Sequence, residues 1–192
     1  MRWVHVVGFI GLLLVVYGLI SAIIFSNVTW YSYFVVGGTF FLGYTNYRLK
    51  NESILKVLEK NRTKVLKIYG FYLFMTIFIE LIGRILFHLW KYPSFNLPEK
   101  IIHVFLIGYP FAFFFIYESF VLIRKRIQSF SFTIILATLI NAFLHEIPNT
   151  FAWEWKYKIP YITFEVLQIN IVIIIGWVVL IGVPLIAKKI LK

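Results

Sequence analysis

The sequence predicts an all-α fold: a polytopic membrane helix bundle with six transmembrane helices arranged as three hairpins. Three observations carry this. Of the 192 residues, 61% are hydrophobic and only 14% charged, whereas a soluble domain is roughly 45–50% apolar and about 25% charged. The apolar residues fall in stretches of about 20, the length a helix needs to cross a hydrocarbon core about 30 Å thick. The cations alternate between successive connections. No segment alternates apolar and polar residues with period two, so a membrane barrel is excluded. Soluble enzymes, nucleic-acid binders and disordered tails are excluded by the composition. The length suits a single domain, 1–192.

The elements follow in order. The first span, 3–25, is longer than the 7–15 apolar residues of a signal peptide and has no A-x-A site after it, so a retained helix is expected. The second, 28–47, carries Gly37, Gly38 and Gly43, which lower its helix propensity. The connector 48–67 is the one sizeable polar segment. In it Ile54, Leu55, Val57, Leu58, Val65 and Leu66 form a broken apolar stripe among charges. That pattern suits a short amphipathic helix on the inner membrane surface, and a solvated connector equally. The remaining spans are 68–89, 101–123, 130–148 and 162–187. Pro110 and Pro184 interrupt two of them and free backbone carbonyls inside the span.

Lys and Arg resist translocation and collect on cytoplasmic connections. With the N-terminus inside, fourteen cations lie inside: Arg2, the seven from Arg48 to Lys67, Arg124 to Arg126, Lys188, Lys189 and Lys192. Four lie outside, namely Lys91, Lys100, Lys156 and Lys158, and Arg84 falls within a span. The split supports a plasma or inner membrane protein with both termini cytoplasmic. The net charge of +11 calls for no nucleic acid, because the positive-inside rule and attraction to anionic lipid heads account for it.

Trp90-Lys91-Tyr92 recurs as Trp155-Lys156-Tyr157, 65 residues later. Arg124 and Lys125, which close the fourth helix, map close to Lys188 and Lys189, which close the sixth. Glu80 maps within one residue of Glu146. Helices three–four and five–six therefore read as two copies of one hairpin, a parallel repeat with its axis along the membrane normal. Interfacial enrichment of Trp, Lys and Tyr would produce the same match by chance. The first hairpin offers Trp30, Tyr31 and Tyr33 as a looser third copy.

An ionisable side chain in hydrocarbon costs about 2.5–3.5 kcal/mol even on the lenient insertion scale, so it faces the bundle interior and has a partner or a task. Glu80, Arg84 and His88 share one stripe of the third helix at i, i+4, i+8. Asn141, His145 and Asn149 do the same on the fifth, beside Glu146. His103 begins the fourth helix from outside and Glu165 the sixth. The expected site is a polar pocket in the outer half. Glu80, Arg84, His145 and Glu146 are its candidate acid/base groups. His88, Trp90, Tyr92, His103, Asn149, Trp155, Tyr157 and Glu165 are its ligand-binding residues. An ion pair, interfacial His and an aromatic belt would produce the same residues. Glu118 lies in the inner half, two turns before Lys125. Snorkelling toward that lysine is its plain reading, and a proton-relay ladder with Glu80 and Glu146 is the other.

Cys is absent and the eight acids are all Glu. The His and Glu residues have no tight metal-binding spacing, and no nucleophile elbow or phosphate loop occurs, so no metal or cofactor is expected. The expected partners are membrane lipids and a hydrophobic small molecule; oligomeric state is left open. The W-x-Y element beside paired helices, with a membrane-embedded Glu, is loosely similar to lycopene-cyclase-type hairpins, although the paired acidic motif of that family is missing here. Three functions fit. One is acid/base processing or binding of a lipid or isoprenoid-type ligand. The others are a small proton-coupled transporter and a non-catalytic assembly subunit.

Overall fold

A computed structural model describes residues 2–159, 162, 164–167 and 169–190. It is all-α apart from two short strand pairs. The helices are α1 (Arg2–Ile23), α2 (Trp30–Arg48), α3 (Ile54–Lys60), α4 (Arg62–Leu86), α5 (Leu97–Arg126), α6 (Phe130–Ala152) and α7 (Ile171–Ile190). Among the described residues, α1, α4, α5, α6 and α7 are long and apolar enough to cross a membrane. They fit a membrane protein. The 19-residue α2 falls outside that set, although its length of about 28 Å approaches the hydrocarbon thickness.

Local chemistry sets the helix starts. Ser53, Asn61 and Ser129 each accept a backbone N–H from the first turn of α3, α4 and α6. Asn96 and Glu99 form a reciprocal capping box at the head of α5. The connector thus splits at Asn61. Only Ile54–Lys60 is a separate helix, with Ile54 and Leu55 buried, and the cationic stretch from Arg62 onward already belongs to α4. Its start is earlier than the expected residue 68 because Asn61 supplies a cap that hydropathy does not register.

The glycines of α2 mediate packing. A Cβ on Gly11 of α1 would come 2.8 Å from the Gly37 carbonyl, and one on Gly37 would come 2.6 Å from the Val15 amide. The two backbones approach as closely as small-residue membrane helices do. α2 also packs on α5, where Phe34 meets Phe115 with ring centroids 5.3 Å apart. Two helices contain π-type turns, over Glu80–Leu86 in α4 and Lys100–Gly108 in α5.

Two boundaries differ from expectation. α6 runs through Pro148 to Ala152 and stops at Trp153, whose left-handed backbone (φ 56°) donates its N–H to Asn149. α7 begins at Ile171, not 162. The residues before it form an antiparallel pair of strands, β3 (Glu165–Val166) and β4 (Ile169–Asn170). Asn170 then accepts the Val172 N–H to start the helix. The other pair joins β1 (Trp90–Lys91) to β2 (Lys156–Tyr157), with Trp90 opposite Tyr157 and Lys91 opposite Lys156.

Candidate functional site

Each W-x-Y element folds back on the glutamate of the helix before it. In the first, Oε1 of Glu80 accepts from Trp90 Nε1 (3.0 Å), Tyr92 Oη (2.9 Å) and Tyr109 Oη (3.1 Å), and Oε2 accepts from Arg84 Nε (2.5 Å). In the second, Glu146 accepts from Trp155 Nε1 (3.1 Å), Tyr157 Oη (2.8 Å) and Trp177 Nε1 (3.0 Å). One aromatic from the following helix completes each set: Tyr109 of α5 and Trp177 of α7. Both elements are also preceded, two residues before the Trp, by a residue in the left-handed region, His88 (φ 52°) and Trp153 (φ 56°). That conformation ends the helix and turns the chain back over its own glutamate.

The two carboxylates differ in charge balance. Glu80 has a guanidinium partner. Glu146 is 4% exposed and receives three neutral donors but, among the described residues, no cation. The hydrogen bonds satisfy its lone pairs without cancelling a negative charge.

Between the two W-x-Y elements and helices α4, α5 and α7 lies a cavity of about 470 Å³, within the range of small-molecule sites. Its walls are mostly apolar and aromatic. Glu146, Glu154, His103 and four tyrosines supply its ionisable groups, and no Lys or Arg lines it among the described residues. Phe78 of α4 and Val179 of α7 both line it and are exposed, so the cavity reaches the lateral surface between those helices.

No family model, curated protein or solved structure matches this chain.

The expected site residues therefore separate by position. Trp90, Tyr92, His103, Glu146, Trp155 and Tyr157 line the cavity. Three others stand one layer behind it. Glu80 is held by the aromatic wall. Asn149 clasps the Trp155 backbone through both its N–H and its carbonyl. His145 is fully buried, packed on Phe115 and on Trp177 of the cavity wall, and meets a second lining residue, Tyr31, whose Oη lies 2.7 Å from Nδ1. Its Nε2 has no partner among the described residues. Arg84 meets the site only through Glu80. His88 is exposed at the end of α4, and Glu165 is exposed on the β3–β4 pair. Neither reaches the cavity. The eight-residue stripe fails at His88 because the π-type turn and the left-handed residue break the 3.6-residue period.

Glu118 is at the other end and fully buried. It does not extend toward Lys125. It accepts from Asn46 Nδ2 (2.7 Å) and from the Ile54 N–H (2.5 Å) at the head of α3. Among the described residues no group of three His or Glu is placed to hold a metal ion.

Sequence reasoning missed Tyr31, Tyr109, Glu154 and Trp177. Glu154 is 1% exposed, lines the cavity and accepts the Tyr31 N–H at 3.3 Å. Desolvation pushes its carboxyl well above the usual carboxylate range. Its position beside Trp155 was the available signal. Burial, with Tyr109 and Glu80 nearby, likewise pushes the Tyr92 phenol well above its ordinary value, so it stays a donor to Glu80 at neutral pH.

Proposed function

We propose that this is a six-span membrane protein with both termini cytoplasmic, whose outward-side cavity binds an apolar lipid or isoprenoid-type ligand and exchanges a proton with it through Glu146. One observation carries the reading: Glu146 faces an apolar, aromatic cavity while bonded only to neutral donors. A carboxyl so placed can give up or accept a proton at the ligand without an ion pair to break. Trp90 and Trp155 pack the ligand, and aromatic faces stabilise positive charge that develops on it. Tyr31 transmits the position of His145. Glu80 and Arg84 hold the first W-x-Y element in place as positioning residues. The matched hydrogen-bond sets and the antiparallel Trp-Lys-Tyr strands support two copies of one hairpin. Glu118, engaged by Asn46 and the head of α3, supports a structural role over a relay, and the open cavity favours a ligand site over an assembly subunit.

The test uses geranylgeraniol as probe and quenching of tryptophan fluorescence as readout in detergent. Saturable quenching is expected. Gly176 lines the cavity, and a Cβ added to it would meet no heavy atom within 4 Å. Gly176→Phe should therefore abolish quenching and leave the helix content unchanged. Glu146→Gln keeps the shape and should leave quenching intact while eliminating any turnover of the ligand. Equal quenching by wild type and Gly176→Phe would sink the cavity as the binding site. Loss of turnover on Glu118→Gln would favour transport.

A further inference from the structure

A second cavity, of about 350 Å³, lies at the opposite end of the bundle, among α3, the first turns of α4 and the last turns of α7. It is separate from the aromatic site and shares no lining residue with it. Ile54, Val57, Ile68, Phe114 and Pro184 form its apolar wall. Lys56 and Lys60 of α3, Lys64 of α4 and Lys188 of α7 line it as well. Two of these cations are engaged. Lys188 pairs with Glu52, the one acid lining the cavity among the described residues, which also accepts from Tyr117 Oη at 3.0 Å. Lys56 Nζ donates to the Asn51 carbonyl at 2.5 Å. Lys60 and Lys64 enter no ion pair among the described residues.

The combination selects a ligand class. Two ammonium groups without an ion pair among the described residues call for an anion, and an apolar wall gives a freely soluble anion nothing to gain. An amphiphile with an anionic head satisfies both. The cavity is also lined by Lys64 and Ile68, where α4 passes from its cationic first turns into its apolar stretch. Basic pockets between helices at this level bind anionic lipid heads. We propose that this groove is a specific site for an anionic phospholipid, its phosphate between Lys60 and Lys64 and the first acyl segment against Ile68 and Phe114. The proposal is independent of the function assigned to the aromatic cavity.

The full-length protein in neutral detergent tests it, with native mass spectrometry reading lipid adducts and thermal melting reading stabilisation. The probes are dioleoylphosphatidylglycerol, dioleoylphosphatidylcholine and inorganic phosphate. Phosphatidylglycerol should bind saturably and raise the melting temperature, and the other two should not. Lys60→Gln with Lys64→Gln should weaken phosphatidylglycerol roughly 30-fold, the share two lysines near a headgroup carry. Arg at both positions should restore binding. Lys91→Gln with Lys156→Gln, at the other end, should leave it unchanged. If the double variant does not fold, Lys60→Gln alone, at an exposed position, should cost about fivefold. Wild-type affinity in that variant, equal binding of phosphatidylcholine, or an equal loss from the Lys91/Lys156 pair overturns the site. Inorganic phosphate that binds as tightly as the lipid overturns the acyl half of the proposal.

Discussion

Glu80 and Glu146 receive the same kinds of neutral donor and differ by one cation, Arg84. The spacing of Glu80 and Arg84 suggests a simple ion pair that two apolar residues could replace together at little cost. The structure changes that expectation, because Glu80 also anchors Trp90, Tyr92 and Tyr109. Glu80→Leu strands four donors and should cost on the order of 3–5 kcal/mol. Arg84, with a side chain 30% exposed, leaves Glu80 three partners when removed. Arg84→Leu should cost about 1.5–3 kcal/mol, the worth of a hydrogen bond to a charged group. The double substitution should remain close to Glu80→Leu. Denaturant titration in mixed micelles measures all three, and a double variant as stable as wild type would falsify the network.

At the scale of elements, the ring of Trp90 lies over Gly83, in the π-type turn of α4, so closely that a Cβ there would enter the ring. Gly83→Ala should therefore displace Trp90 and cost about 1–3 kcal/mol through overpacking. Gly70→Ala on the same helix meets nothing within 4 Å and should be neutral or stabilising by up to about 1 kcal/mol. A Trp emission shift in the first and none in the second is the expected readout; equal melting temperatures would refute the contact. These elements also mark how far the sequence could be read. Hydropathy located α1, α4, α5, α6 and α7 because a continuous apolar run has few alternative structures. It misplaced the start of α7 because Ile162, Phe164, Val166 and Ile169 are as apolar as a helix turn, and only Asn170 marks the cap. The two Trp-Lys-Tyr elements were visible as a repeat of letters, and Trp155 of the second donates to Glu146. Their partners Tyr109 and Trp177 were invisible, since they come from neighbouring helices whose rotation the sequence does not encode locally. His88 and Glu165 looked like site residues because the apolar runs read as continuous helix, whereas the left-handed turn at His88 and the β3–β4 pair at Glu165 take both out of it.

Across the whole molecule, charge and packing point the same way. The cationic segments gather at the end that holds α3, the head of α4 and the tail of α7, while Lys91 and Lys156 sit at the other end on paired strands. The five helices that are apolar and long enough to cross would put the two ends of the chain on opposite sides if α2 did not also cross. With the N-terminus inside, an odd number of spans would also set the connection 48–67 and the Arg124 to Arg126 cluster outside, against the positive-inside rule; with the N-terminus outside the rule would be kept, and Arg2 would join the external cations. A crossing α2 places both termini inside without that conflict, and its close glycine contacts with α1 give it a helix partner in place of lipid-facing apolarity. Reporter fusions placed at the N-terminus, within 48–67 and after residue 192 should therefore all read cytoplasmic, and one placed between Pro93 and Asn96 should read external. A cytoplasmic reading within 48–67 together with an external one after residue 192 would mean that the odd crossing lies beyond α2. Opposite readings at the N-terminus and within 48–67 would mean that α2 lies on the surface, and an external reading within 48–67 would set the lysine-lined cavity at the leaflet opposite to the one the cation count assigns.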